Sequence, residues 1–317
     1  MTADLEPLRR IAAYALCYDE AGRVLLVRAA ASSGTPGVWS LPGGAVYHGE
    51  HPHDTVVREV ASETGLAVRI TRVRQVLADL RALPQRGLAL HTDRLIYESE
   101  VVGRAEVAER NGTVDESRWV PASEAAKLPL RPFTATALGL PPGTGDLRPE
   151  DPPELPSFHT VSGPDGRPRA QRFAAYAVAT DPDGRVLLTR IAEPYPGAGK
   201  WHLPGGGTDF GEEPTGALLR EVVEETGQYG ELVGLLGVAS HHDPSSVGPE
   251  GVPIDWHGVR AFYRVAVPRP TPPVVHDRGG STSEAAWFSE SELSTLELTE
   301  VTQEALEAAD IAVRVAD

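Results

Sequence analysis

The sequence predicts two α/β domains with mixed sheets, joined in tandem in one chain of 317 residues. Three observations carry that expectation. The chain repeats itself at a fixed offset. Each copy alternates short apolar runs with turn residues, the pattern of a sheet packed under helices. Each copy then sets a glycine-rich turn ahead of a helix crowded with acids.

The repeat is long. RIAAYALCYDEAGRVLLVRAA starts at Arg10 and RFAAYAVATDPDGRVLLTRIA at Arg172, an offset of 172 − 10 = 162. The same offset relates Gly44 to Gly206 and Gly65 to Gly227, so no gap intervenes. This is a duplicated domain rather than a short-period solenoid. The likeness continues more loosely, pairing HTDRLIYE with HGVRAFYR and Trp119 with Trp287. Between the copies, GLPPGTGDLRPEDPPELPS has the proline and glycine content of a semi-rigid linker. The expected organisation is a first domain over 1–140, a linker over 141–164 and a second domain over 165–317.

Within each copy, AAYALCY and AAYAVAT read as strands, DEAG and DPDG as turns, and RVLLVR and RVLLTR as second strands. Later strands are expected at RLIYESEVV and RAFYRVAV, and short helices at ASEAAKL and SESELSTL. HHDPSSVGPEGVPIDWHG reads as a long polar loop.

Composition narrows the partners. The formal charge of −16 repels nucleic-acid backbones and anionic membranes, so neither is expected as a partner. An anionic small molecule would need cations or a local arginine cluster. Cys17 is the one cysteine and allows no intrachain disulfide, which suits a reducing compartment. MTADLEPLRR lacks an apolar secretory core, and no run reaches the ~18 apolar residues of a membrane span. The expected setting is cytoplasmic.

The acidic helix carries the chemistry. In the second copy Pro214 suits a first helical position and Gly227 a helix-ending one. Leu218, Leu219, Val222 and Val223 supply a core side, and Glu221, Glu224 and Glu225 share another face at i, i+3 and i+4. Like charges at that spacing cost a helix a few tenths of a kcal/mol per pair. A hard divalent cation with oxygen ligands reverses the cost, so the cluster beside LPGGG suggests a metal-assisted phosphate site.

These residues resemble the Nudix hydrolase signature. Its glycine, glutamate and arginine-glutamate-apolar-x-glutamate-glutamate-x-glycine run is matched by Gly206, Glu212, Arg220, Glu221, Val222, Glu224, Glu225 and Gly227, with Gln228 departing at the final apolar position. The resemblance implies an α/β/α sandwich in each half and Mg²⁺- or Mn²⁺-dependent hydrolysis of a nucleoside diphosphate derivative. It implies Glu221, Glu224 and Glu225 as metal ligands with Gly206, and Arg220 with Glu212 as an ion pair holding loop and helix. Glu284, three residues before Trp287, resembles the late-placed base of some relatives, with Glu116 its counterpart. Gly205, Trp201, Arg190, His257 and Arg260 are the further candidates for substrate contact. Trp201 and its counterpart Trp39 also read as core or rim residues, and Arg28 and Arg190 as strand-end charges.

The first copy departs from the pattern. It keeps Gly44, Glu50, Arg58, Glu59, Val60, Glu63, Gly65 and Leu66, but has Ser62 where a ligand belongs. A hydroxyl is a poor substitute for a carboxylate toward Mg²⁺. Glu59 and Glu63 remain as a weaker pair, so reduced activity, a working two-carboxylate site and a scaffold half all stay open. Nudix proteins are often homodimers, and a fused duplicate could form an equivalent pair within one chain. Pro244, 244 − 228 = 16 residues past Gln228, lies near the proline spacing associated with ADP-ribose. ADP-ribose-like compounds and modified nucleoside triphosphates are the expected substrate classes. A nucleotide sensor is the alternative.

Overall fold

The computed structural model describes residues 5–106, 112–141, 160–247, 251–276 and 280–311; most of the expected linker, 142–159, lies outside them. The chain divides into two units, Met1–Glu154 and Leu155–Asp317.

In the first unit, β1 (Glu6–Leu16), β2 (Val24–Ala29), β3 (Trp39–Ser40) and β4 (Gly43–Ala45) precede helix α1 (Pro52–Thr64). β5 (Leu66–Leu83), β6 (Leu88–Arg104), β7 (Val114–Val120), α2 (Ala122–Ala125) and α3 (Pro132–Ala137) follow. One sheet has the order β4-β1-β6-β5, with β1 and β6 parallel and the other pairs antiparallel. A second has the order β3-β2-β7. Ala12, Tyr14, Leu16, Leu26, Trp39, Ile96 and Phe133 close a core against α2 and α3. Cys17 is buried, and burial pushes its thiol up to about 12.

The second unit repeats this order of elements, but its strands join in one eight-stranded sheet through the pairing of β9 with β10. It contains β8 (Thr160–Ser162), β9 (Pro168–Thr180), β10 (Val186–Ile191), β11 (Trp201–His202), β12 (Gly205–Gly207) and α4 (Pro214–Thr226). β13 (Glu231–Val247), β14 (Pro253–Ala266), β15 (Thr282–Phe288), α5 (Glu290–Leu293) and α6 (Glu300–Ala308) complete it. β9 and β14 pair in parallel, β13 flanks β14, and β12 lies on β9. β8 pairs β9 as well, so among the described residues the second unit's first strand lies at Thr160–Ser162, ahead of residue 165. No helix among the described residues is long and apolar enough to cross a membrane.

Two sequence readings change. HHDPSSVGPEGVPIDWHG is not a loop: β13 runs to Val247 and β14 resumes at Pro253. Backbone pairing rather than apolar alternation holds this arm, which is why hydrophobic pattern misses it. Pro244 is accommodated where the register slips between Asp243 and Ser246. Helix α4 also turns differently. Its buried side is Ala217, Leu218, Val222, Glu225 and Thr226, while Leu219 and Val223 are half-buried. Glu225 follows Leu218 by seven residues and Val222 by three, so it falls within the apolar stripe instead of sharing the outer face of Glu221 and Glu224.

Candidate active site

Local sequence places the acidic helix. Pro214 occupies its first turn, and Gly227 ends it in the left-handed conformation, φ 68°, returning its N–H to Val223. Gln228 replaces an apolar residue yet is fully satisfied. Its Nε2 donates to Thr271 Oγ1 at 3.0 Å and its Oε1 accepts from Thr271 N at 2.9 Å.

The glycine turn and the helix meet tightly. A Cβ on Gly206 would stand 2.7 Å from Glu221 Oε1, so only glycine lets that carboxylate reach the turn. The Gly205 N–H donates to Glu225 Oε2 at 2.8 Å. Thr282 on β15 donates its hydroxyl to Glu225 Oε1 at 2.6 Å. Glu225, 4% exposed, is thus fixed from two sides. Arg220 is the hub. It forks onto Glu212 with two 3.0 Å bonds, and its Nη1 reaches Glu221 at 3.1 Å and Glu224 at 3.0 Å. Its bond to Glu212 and the surrounding carboxylates raise the Arg220 pKa further above the ordinary arginine value. Burial, with Glu224 adding, raises Glu221 more than Arg220 lowers it. A half-desolvated carboxylate set at one turn suits a hard cation with oxygen ligands, so the residues fit the divalent metal that the sequence implies.

Arg172 was missed by sequence reading. It lies on β9 over Gly207, where a Cβ would meet its Nε at 2.4 Å. Its buried Nε has no hydrogen-bond partner among the described residues, and its charge reaches Glu221. The signal available was the third glycine of LPGGG, which the first copy replaces with Ala45. A buried N–H left without an acceptor, with its charge felt by Glu221, suits an incoming anionic oxygen.

The other candidates do not all converge. Arg190 and Glu284 face each other in register on β10 and β15, 3.5 Å apart and both about half exposed. Glu284 therefore sits on a strand rather than in a loop, two residues past Thr282. Trp201 packs edge-on against Phe288, centroids 4.7 Å apart, at the border of the core. His257 is buried between strands, its Nδ1 at 2.9 Å from Gln171 and its Nε2 at 3.0 Å from Ser240. Arg260, also on β14, adds its charge to His202.

His202 was not singled out in the sequence. Its Nδ1 lies 2.7 Å from Thr299 Oγ1, with Thr302 Oγ1 at 3.4 Å, and its ring meets Tyr176 edge-on at 4.9 Å. Burial first, then Arg260, push its pKa down to about 3, although part of its surface still touches solvent. The unfolded histidine titrates near 6.5 and so binds a proton that the folded one refuses. Stability is full above pH 6.5 and is lost as pH falls from there toward 3. Discounted for the ring's solvent contact, the effect is on the order of 2 kcal/mol. Thermal unfolding between pH 7 and 4 should show a smaller acid-induced drop for His202→Gln than for wild type; parallel curves would refute the assignment.

The first unit's counterpart lacks two of these polar groups. Arg58 binds Glu50 and Glu59, and Glu63 accepts from the Gly43 N–H at 2.9 Å. Ser62 stands at the position of Glu224. In addition, Val114 stands opposite Ala29 where Thr282 stands opposite Ile191, and it has no hydroxyl to offer the carboxylate. Burial, with Glu59 adding, pushes Glu63 up to about 8.

A mixed sheet, an acidic helix opened by a glycine turn, and a carboxylate set held by one arginine define the class. The NUDIX domain family model matches residues 8–138 and 170–309, and the chain belongs to that family, with a tandem pair of the domain. It is similar to human diphosphoinositol polyphosphate phosphohydrolase 2, 40% identical over 73 residues, 23% of this chain and 39% of that protein. It is 32% identical over 136 residues to putative 8-oxo-dGTP diphosphatase 3 of Mycobacterium tuberculosis H37Rv, covering 38% of this chain and 59% of the relative. The chain thus spans about two-fifths to three-fifths of the length of these curated relatives. Among solved structures it is similar to a MutT NUDIX hydrolase from Burkholderia pseudomallei, 32% identical with TM-score 0.35, covering 44% of this chain and 97% of that one.

Proposed function

We propose that the chain is a metal-dependent pyrophosphohydrolase whose working site is in the second domain. The observation that carries this is the meeting of Glu221 and Glu225 with the Gly205–Gly207 turn, with Glu225 clamped by Gly205 and Thr282 and Glu224 held beside Glu221 by Arg220. Glu221, Glu224 and Glu225, with Gly206, would hold Mg²⁺ or Mn²⁺. Such a cation, when bound, lowers the pKa of water and neutralises charge on a diphosphate. Arg220 keeps Glu221 and Glu224 oriented and ties the helix to the loop through Glu212. Arg172 offers a guanidinium N–H to a phosphate oxygen. Glu284, on the strand that also carries Thr282 and with Arg190 beside it, would accept the proton of the attacking water. Gly205, Trp201, His257 and Arg260 remain candidates for the substrate side, His257 acting through the sheet rather than by direct contact.

The relatives act, by their names, on diphosphoinositol polyphosphates and 8-oxo-dGTP, and these join ADP-ribose as compounds to try. The test is product release from that panel by the full chain with Mg²⁺. Release that stops when the cation is chelated supports the hydrolase. Binding of the same compounds without any turnover favours a nucleotide sensor.

A further inference from the structure

The first domain carries a second set of charged residues, on the sheet face opposite the acidic helix. Gly44 approaches Glu59 of α1 and pairs with Ala13, so Ala13 marks the α1 face of β1. Arg10, Ala12 and Tyr14 alternate onto the other face, where Phe133 of α3 meets the Tyr14 ring at 4.5 Å. Strand register aligns Arg10 and Asp79 with Thr92, Arg94 with Ala12 and Leu77, and Arg81 with Leu90. Arg10, Arg94 and Arg81 therefore share that face on three adjacent strands. Arg131, at the start of α3, joins them.

The geometry is that of a cationic cradle. Arg94 is 1% exposed, forks onto both oxygens of Asp79 at 2.9 Å, takes the Tyr14 hydroxyl at 2.6 Å and stacks over Phe133 at 4.2 Å. Asp79 is thereby engaged by the most buried arginine. Arg10 donates to Thr92 at 3.2 Å and Arg131 to Thr35 at 2.5 Å. Arg10, Arg81 and Arg131 are half-buried, so the cradle opens to solvent on one side. Burial lowers the proton affinity of Arg131, and Arg81, Arg94 and Arg10 lower it further. Gathering like charges out of water is unfavourable unless countercharge arrives.

The second domain shows that the fold does not require this. By the same register, Asp243 stands where Arg81 does and His241 where Asp79 does. Thr299 stands where Arg131 does, each donating its backbone N–H to the equivalent tryptophan carbonyl. Arg172, the counterpart of Arg10, is drawn over Gly207, a place that Ala45 fills in the first domain. Four guanidiniums converge in the first copy only.

Planar guanidinium forks match phosphate oxygens in pairs, which makes a set of them selective for multiply charged phosphates over single carboxylates. We propose that the arginine cradle of the first domain binds a phosphate-chain anion directly through Arg10, Arg81 and Arg131, without a metal ion. This does not depend on the hydrolase reading.

Inorganic tripolyphosphate is the probe, titrated calorimetrically into the full chain with EDTA present. Saturable binding is expected, weakened about tenfold or more by Arg131→Thr and by Arg81→Gln and left within about twofold by Arg69→Gln, a change at an exposed arginine of β5 outside the cradle. Circular dichroism confirms folding, and should Arg131→Thr not fold, Arg81→Gln on the edge strand decides the matter. Absence of binding in EDTA, binding unchanged in Arg81→Gln, or binding lost in Arg69→Gln would overturn the proposal. ATP under the same conditions separates the sources: tighter binding than tripolyphosphate marks a nucleotide ligand, equal or weaker binding a phosphate chain alone.

Discussion

Glu225→Gln is expected to lower turnover on the order of a thousandfold while the protein stays folded, because in the proposed site a neutral amide replaces one anionic cation ligand. Glu225 accepts from Gly205 at 2.8 Å and from Thr282 at 2.6 Å. The amide oxygen can keep the Gly205 bond, and the Thr282 hydroxyl can rotate to accept from the new NH₂. The stability cost is therefore about 1 kcal/mol. The matched change in the first domain, Glu63→Gln, leaves turnover within about twofold, since that domain has Ser62 on its helix and Val114 on β7 where the second has Glu224 and Thr282. The comparison needs only steady-state rates and unfolding midpoints of the two variants. Equal losses in both would show that Ser62 is no lesion and that the two sites act together.

Arg172→Gln separates function from stability. Arg172 holds a buried Nε–H over Gly207 without a partner among the described residues. Removing a half-buried charge with an unpartnered Nε–H should leave the thermal midpoint unchanged or raised. If the guanidinium serves the phosphates, kcat/KM falls on the order of a hundredfold, as for loss of one charge-assisted donor in the transition state. A lowered midpoint with activity falling only in proportion would instead make Arg172 a structural residue.

Much of the chain was legible because its signals are local. Pro214 and Gly227 bound a helix through backbone stereochemistry alone, and both ends of α4 follow them. The pairing of Arg220 with Glu212 spans a turn and a helix start, a separation of eight residues. The duplication needed only the offset of the two copies. What escaped was non-local. HHDPSSVGPEGVPIDWHG has the composition of a loop, yet pairing with a neighbouring strand draws most of it into a hairpin. Thr282 stands 57 residues from the carboxylate it holds.

The amino-acid order alone settles that there are two copies of one α/β unit, that each has an acidic helix after a glycine turn, and that the second copy has the fuller set of carboxylates. Those are matters of spacing and residue type. It does not settle which glutamate turns into the core, why three glycines in a row are needed, or what the duplicated arginines face. Glu225 is fixed by β12 and β15, Gly207 is required by Arg172, and the arginine cradle exists because three strands and a helix start bring Arg10, Arg81, Arg94 and Arg131 together. Such contacts depend on which backbone segments lie side by side, and strand pairing between residues dozens of positions apart decides that.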